Sequence, residues 1–273
     1  MVSLVLDTPE LAKVYDFRGQ RQFEHGKLLI RDLGVSPGHS VLDVGAGTGL
    51  LTAYVAEIVG PKGHVLGIDP LPLRIELARS RSQGNLEFRV GAAENLEELE
   101  PESFDFVYLN SVFHWLPDKL RVLRQIHRVL KPNGRVGLST ASLEKPHSVE
   151  AARQRALANS GLAGYRELAR GIAHRVDIGE VRTLFKESGY RALQLEIRTF
   201  VDYDASVDEV LEFSKSSSFG NDLSAFTDEQ RQRFRAAFEK ELETTRDAKG
   251  IRQERNLIFA VAEKASLPAA VSN

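Results

Sequence analysis

The chain has 273 residues, 42% apolar and 27% charged, with a formal net charge of −2. This is the balance of a globular protein of one large or two small domains, and no long basic run offers nucleic acid an electrostatic footprint. It has no cysteine, which excludes disulfides, thiolate metal sites and a cysteine nucleophile.

Residues 1–20, with Tyr15, Phe17 and Arg18, read as a polar, aromatic-bearing lead-in. Acids within it and the lack of a basic start followed by an apolar run argue against a signal peptide. No stretch approaches the ~20 apolar residues that span a bilayer, so a cytoplasmic location is expected. A helix is predicted over 22–34 and a buried strand over 40–44, ending in Gly45-Ala46-Gly47-Thr48-Gly49. An amphipathic helix follows over 50–59, then a strand over 64–68 that ends in Asp69. A helix over 72–82 and strands over 86–90 and 104–109 come next. Behind Asp118, the residues Leu120, Val122, Leu123, Ile126 and Val129 fall at helical spacing, predicting a helix over 118–130 that Pro132-Asn133-Gly134 stops. Strands are expected over 135–140, 191–201 and 256–263. This alternation argues for a parallel sheet with helices on both faces. Two helical stretches, 146–175 and 204–250, do not belong to the bare sheet and are expected to cap the carboxyl-end face. The organisation read from the chain is a lead-in or lid over 1–21, a core over 22–145, an insert over 146–175, core again over 176–203, a cap insert over 204–250, the last strand over 251–264 and a loose tail over 265–273.

A glycine turn between strand and helix, with an acid at the tip of the next strand, is how a doubly wound sheet holds a nucleoside. The dinucleotide fingerprint would place its third glycine at position 50, which is Leu50. Asp43, just before the turn, would repel a pyrophosphate and suits a ligand bearing an ammonium group. Together with GAAENL (91–96), SFDFVYLNSVFHWL (103–116) and VLKPNGRVGLST (129–140), the chain resembles the class I S-adenosylmethionine-dependent methyltransferases from about Gln22 to Glu263.

The resemblance implies an α/β, doubly wound, seven-stranded, mostly parallel sheet with an antiparallel last strand and a helical cap. It implies S-adenosylmethionine as methyl donor and S-adenosylhomocysteine as product. Asp43, Gly45, Ala46 and Gly47 would flank the methionine portion. Asp69 would accept the ribose hydroxyls, with Pro70, Leu71 and Arg74 beside it and Leu71 packing on adenine. Ala92, Ala93 and Glu94 would read the adenine edge; the family's usual acid there is replaced by Ala92, leaving Glu94 to serve. Asn110 and Ser111 complete the cofactor set. His114 is the catalytic candidate, as a base, and the acceptor pocket is expected from Tyr15, Arg18, Phe113, His114, Trp115 and Thr140, with no metal. His114-Trp115 followed by Leu-Pro-Asp resembles the small-molecule branch that includes trans-aconitate and juvenile hormone acid methyltransferases. The segment is not the Asn-Pro-Pro-Tyr of enzymes acting on DNA bases or protein amides. The absence of cysteine sets aside the arsenic-methylating branch.

The partner is therefore expected to be a small acceptor, anionic or hydroxylated, with neither nucleic acid nor membrane involved; a monomer and a dimer are both open. Arg18, Arg166, Arg170 and Arg175 are candidates to pair with a carboxylate. His147, His174 and Tyr203 are weaker pocket candidates, while His25, His39, His64 and His127 are expected to be structural and to face away. The rival readings are a cofactor-binding relative that transfers no methyl group and a nicotinamide oxidoreductase.

Overall fold

A computed structural model describes residues 3–165 and 173–265. Arg166 and Arg170, and most of the tail, lie outside the described residues. The chain opens with a short 3-10 turn at Leu4–Leu6 and helix α1 (Pro9–Arg18), started by Thr8, which accepts from the Leu11 N–H, and by Pro9 at its first position. Helix α2 (Gln20–Leu33) leads into β1 (Ser40–Val44), α3 (Leu50–Val59), β2 (His64–Asp69), α4 (Pro72–Arg79), β3 (Leu86–Val90) and β4 (Phe104–Asn110). Then come α5 (Lys119–Val129), β5 (Leu130–Ala141), α6 (Ser148–Asn159), α7 (Ile178–Glu187), β6 (Tyr190–Asp204), α8 (Val207–Ser217), α9 (Asp228–Glu243), the two-residue β7 (Arg246–Asp247) and β8 (Gly250–Lys264).

The strands lie in the order β3-β2-β1-β4-β5-β8-β6, with β7 paired to β8. The pairs from β3 to β5 are parallel; β8 runs antiparallel to both β5 and β6. Successive side chains of a strand alternate between faces, and the two main cores divide accordingly. Val41, Val65 and Tyr108 pack against Leu29 and Ile30 of α2, Val55 of α3 and Ile75 of α4. Leu42, Leu66, Val107 and Leu109 pack against Val122 and Ile126 of α5 and Phe185 of α7. This is the Rossmann-like, mixed sheet expected from the sequence.

Besides the short eighth strand β7, added to the seven expected, three details depart from the predicted elements. Helix α4 ends at Arg79, three residues early. Strand β5 begins at Leu130, directly after α5, and Asn133 turns within it at φ 62°. Strands β6 and β8 pair over a longer stretch than the strands read over 191–201 and 256–263, and β8 matches the 251–264 segment assigned to the last strand. Pairing of β8 with β5 stops at Leu257 opposite Ala141, but its pairing with β6 continues to Ile251 opposite Asp204. Residues 251–256 therefore run past the end of β5 and are paired through β6 and, at Ile251, β7. The two inserted segments share a third core, in which Ala156 and Leu157 of α6 meet Val207 and Val210 of α8 and Phe234 and Phe238 of α9.

Candidate active site

The loop after β1 builds the first wall. Gly45 and Gly47 take φ of 84° and 56°, conformations that glycine adopts without strain. A Cβ on Gly45 would lie 2.2 Å from Val112 Cγ2, and one on Gly47 would lie 3.1 Å from Tyr15 Cε1. The turn thus presents bare backbone, closed over by the β4 mouth on one side and the lead-in on the other.

Asp69, at the tip of β2, ties this turn to the next loop. Its Oδ2 accepts from Gly47 N–H and its Oδ1 from Leu71 N–H, both at 2.9 Å. Burial raises its pKa, while Arg74 and the two amides hold it down. Each oxygen keeps a further lone pair for a ligand hydroxyl.

Asp43 lies behind the turn. Its Oδ2 accepts from Thr52 Oγ1 at 2.7 Å and from Tyr108 OH at 2.6 Å. It borders a small chamber with Gly45 and Ala46 rather than the main cavity. Burial pushes its pKa up to about 7, against the pull of those two hydroxyls. A folded-state value above the unfolded one means that ionisation costs stability. The cost is absent below about pH 4, grows as pH rises and is complete above about pH 7. Asp43→Asn is therefore expected to gain stability relative to the parent by about 2–3 kcal/mol between pH 5 and pH 8, each worth ~2–4 °C in Tm. Melting curves of the two proteins at both pH values check this; a difference that does not grow with pH counts against an ionised, buried Asp43.

The main cavity measures about 770 Å³ and extends from the glycine turn and Asp69 to the cap. Leu71, Pro70, Ala92, Ala93 and Glu94 line it beside Asp69, and Asn110, Ser111, His114 and Trp115 line it at the β4 mouth. Asn110 is locked by Ser139 Oγ, which donates to its Oδ1 at 2.7 Å, and by its own Nδ2, which donates to Gln22 O at 3.0 Å. Ser111 sits at φ 61°, a strained position for a residue with a side chain. His114 faces the cavity, with Nδ1 3.1 Å from Thr140 Oγ1. Burial, with Arg175 and Lys119 nearby, drives its pKa down to about 3.

Arg74 lines the cavity but serves as a clasp. Its guanidinium lies 4.0 Å from the Tyr15 ring centre and 4.9 Å from that of Phe219. It donates to Ser216 O at 2.6 Å and to Asp7 at 3.4 Å. The lead-in, the core and α8 meet on this one side chain.

Several expected pocket residues fall elsewhere. Arg18 pairs with Glu212 at 2.8 Å and Glu209 at 3.4 Å, bridging α1 and α8 outside the cavity wall. Phe113 is fully buried in the core, under the Lys119 ammonium. Thr140 is also fully buried and acts from behind His114. Tyr203 stands away from the cavity beneath Lys249. In the opposite sense, His25 does not face away. It lines the cavity, its ring 4.0 Å from that of Phe200 and its Nε2 3.9 Å from Asp202. Helix α2 carries it along the carboxyl edge of the sheet, an orientation that the spacing of the apolar residues alone does not reveal. His147, His174 and Arg175 also line the cavity.

Gln22, Glu150, Arg153, Asp222, Gln253 and Arg255 also line the wall, and no sequence motif marks them. Gln253 and Arg255, two apart in the last strand, carried the one available signal, polar residues repeating on one face. Among the described residues no group of three His, Cys, Asp or Glu side chains is placed to hold a metal. No helix among them is long and apolar enough to cross a membrane.

Residues 35–189 match the family described as methyltransferase domain. The chain is 32% identical to an arsenite methyltransferase of Halobacterium salinarum over 183 residues, 64% of this chain and 44% of that protein. It is 36% identical to a demethylmenaquinone methyltransferase of Lactobacillus johnsonii over 121 residues, 42% of this chain and 49% of that protein. It thus spans about half the length of these curated relatives. In fold it resembles the S-adenosylmethionine-dependent methyltransferase of Aquifex aeolicus, with a TM-score of 0.56 at 17% identity, covering 94% of this chain and 99% of that one. With a match over more than half its length, laid on the glycine turn, Asp69 and the β4 mouth, the chain belongs to the class I S-adenosylmethionine-dependent methyltransferases.

Proposed function

We propose that the chain transfers a methyl group from S-adenosylmethionine to an oxygen or nitrogen of a small organic molecule held under the cap. The observation that carries this reading is one continuous cavity of about 770 Å³, with the glycine turn and Asp69 at one end and cap residues Val210, Phe213 and Leu223 at the other. A cofactor-binding relative without methyl transfer would need no such open chamber.

In this reading Asp69 takes the ribose hydroxyls, Gly45 and Gly47 admit the methionine portion against bare backbone, and Leu71 packs on the adenine, with Glu94 beside its edge. Asp43 acts on the ammonium group from behind the turn. The bound donor supplies a sulfonium methyl that passes to the acceptor in one in-line displacement. The protein aligns the two reactants and excludes water, which lowers the barrier by several kcal/mol. His114 touches the acceptor as a neutral imidazole held by Thr140. With its pKa near 3 it has little drive to take a proton, so its task is orientation rather than the base role that its sequence position suggests.

The finer acceptor type, a carboxylate as in the trans-aconitate and juvenile hormone acid branch, is supported by His114-Trp115 at the cavity wall. The ion pair of Arg175 with Glu150, at 3.2 Å, weighs against it. Arsenite, the substrate named in some relatives, is not proposed, because soft metalloids call for thiolate ligands and this chain has no cysteine.

The test is calorimetric titration with S-adenosylmethionine and, separately, NADH. Micromolar binding of the first and none of the second is expected; the reverse overturns the reading. Bound S-adenosylmethionine with no turnover across a panel of small phenols, acids and amines would favour the binding-protein alternative.

A further inference from the structure

Among the described residues four guanidiniums line the cavity, and three of them are committed to protein acceptors. Arg153 donates through two nitrogens to Asp222, and Arg175 donates to Glu150 at 3.2 Å. Arg74 donates to Ser216 O and Asp7 and lies over Tyr15. Arg255, on the part of β8 that runs past the end of β5, is different. Its Nε lies 2.8 Å from Asp202 Oδ2, yet the N–H is not aimed at that oxygen, and both atoms are buried without a hydrogen-bond partner. Nε is enclosed, whereas Nη1 and Nη2 keep accessible surface, on a side chain that is 12% exposed and lines the chamber. No described residue accepts a hydrogen bond from either of them.

The surroundings explain why this guanidinium stays unengaged. The other carboxylate nearby, Asp204, is already occupied: Arg21 donates to both of its oxygens, at 3.1 and 2.5 Å, and Gln253 Nε2 donates to it as well. Phe213 of α8 holds Arg255 in place, its ring centre 5.0 Å from the Arg255 Cζ. An aromatic face attracts a cation and takes none of its in-plane hydrogen bonds, so the donor fork stays available. Burial, with Arg21 nearby, lowers the pKa of Arg255 to about 10, which leaves it charged at neutral pH. The two histidines of the same wall supply no competing charge: burial lowers the pKa of His25 and drives that of His147 down to about 3. A desolvated guanidinium without hydrogen bonds is costly, and a planar carboxylate is the group whose two oxygens match its fork.

We propose that Arg255 is the specificity-determining residue of the acceptor chamber and that the acceptor carries one carboxylate, whose oxygens accept from Nη1 and Nη2 of Arg255. One unengaged cation matches one negative charge; a dianionic group would be buried with half its charge unopposed. Val210 and Leu257, which line the same chamber, suit an apolar remainder. This inference rests on the methyltransferase reading, and it names the substrate class and the residue that selects it.

The experiment uses the full chain saturated with S-adenosylhomocysteine and probes matched in shape, by calorimetry at neutral pH: 1-naphthoate against 1-naphthamide, and hexanoate against hexanamide. Each carboxylate is expected to bind about tenfold or more tightly than its amide, the scale of a charge-assisted pair. Arg255→Gln is expected to weaken carboxylate binding by about tenfold and to leave the Kd values of the amides and of S-adenosylhomocysteine within about twofold. Asp202→Asn removes the negative charge that competes for Arg255. It is expected to tighten carboxylate binding by about threefold and to leave the amides unchanged, an independent check where Arg255→Gln fails to fold. Carboxylates that do not bind, amides that bind equally well, a preference that survives Arg255→Gln, or carboxylate binding indifferent to Asp202→Asn overturns the assignment. A wild-type chain without affinity for S-adenosylhomocysteine overturns the methyltransferase reading itself. One that binds it and shows no preference for carboxylates overturns this inference alone.

Discussion

Asp69→Ala is expected to raise the Kd for S-adenosylmethionine by a hundredfold or more. Two losses combine. The ribose hydroxyls lose a charged acceptor, worth ~1.5–3 kcal/mol, or about a tenfold to hundredfold change in affinity. The same carboxylate also anchors the ligand-facing backbone, through Gly47 N–H and Leu71 N–H at 2.9 Å each. Without it two amides at the cavity wall lose their partner and the turn loses its fixed shape, so the site is no longer preorganised. Asp69→Asn, which keeps one acceptor oxygen, is expected to fall between the two. Calorimetry on folded protein decides: an unchanged Kd for the alanine variant would sink the assignment of Asp69 to the nucleoside.

Gly47→Val is expected to abolish detectable cofactor binding and to leave a folded protein whose Tm is a few degrees lower. Gly47 has φ 56°, a region that β-branched residues resist, at a cost of about 1–3 kcal/mol. Its Cβ would stand 3.1 Å from Tyr15 Cε1, and the added methyls would fill the space assigned to the methionine portion. The strain is local, because the turn's outer partner is the lead-in helix α1 rather than a sheet core, so circular dichroism should show native helix and strand content. Normal binding by a folded Gly47→Val protein would mean that the turn faces something other than the donor.

The turn and strand tip proposed for the donor were legible because their determinants are local. Gly45, Gly47 and Asp69 act through backbone conformation and through their place at the ends of consecutive parallel strands, and both follow from short stretches of chain. The strand–helix alternation from Ser40 to Ala141 likewise follows from apolar period and turn residues. The acceptor half was only partly legible. Phe113 and His114 are neighbours in sequence, yet one is core and the other wall, because a single 3-10 turn at Phe113–Trp115 aims them apart. Arg18 carries the charge that an acid-binding residue needs, but Glu209 and Glu212, nearly two hundred residues later, had already taken it.

What the sequence by itself determined is therefore the doubly wound sheet, the glycine turn with Asp69 at the next strand tip and the kind of donor, all written in contiguous motifs whose physics is that of strand ends and glycine conformations. What only the tertiary structure decided is the chamber opposite the donor. Its wall joins His25 of α2, His147 beside α6, and Gln253 and Arg255 of β8, residues more than two hundred positions apart at the extremes. They meet because the paired strands β6 and β8 outrun β5 by several residues and carry polar side chains past its end. Which charges remain free there depends on long-range ion pairs, such as Arg153 with Asp222 and Arg175 with Glu150, which no local pattern records.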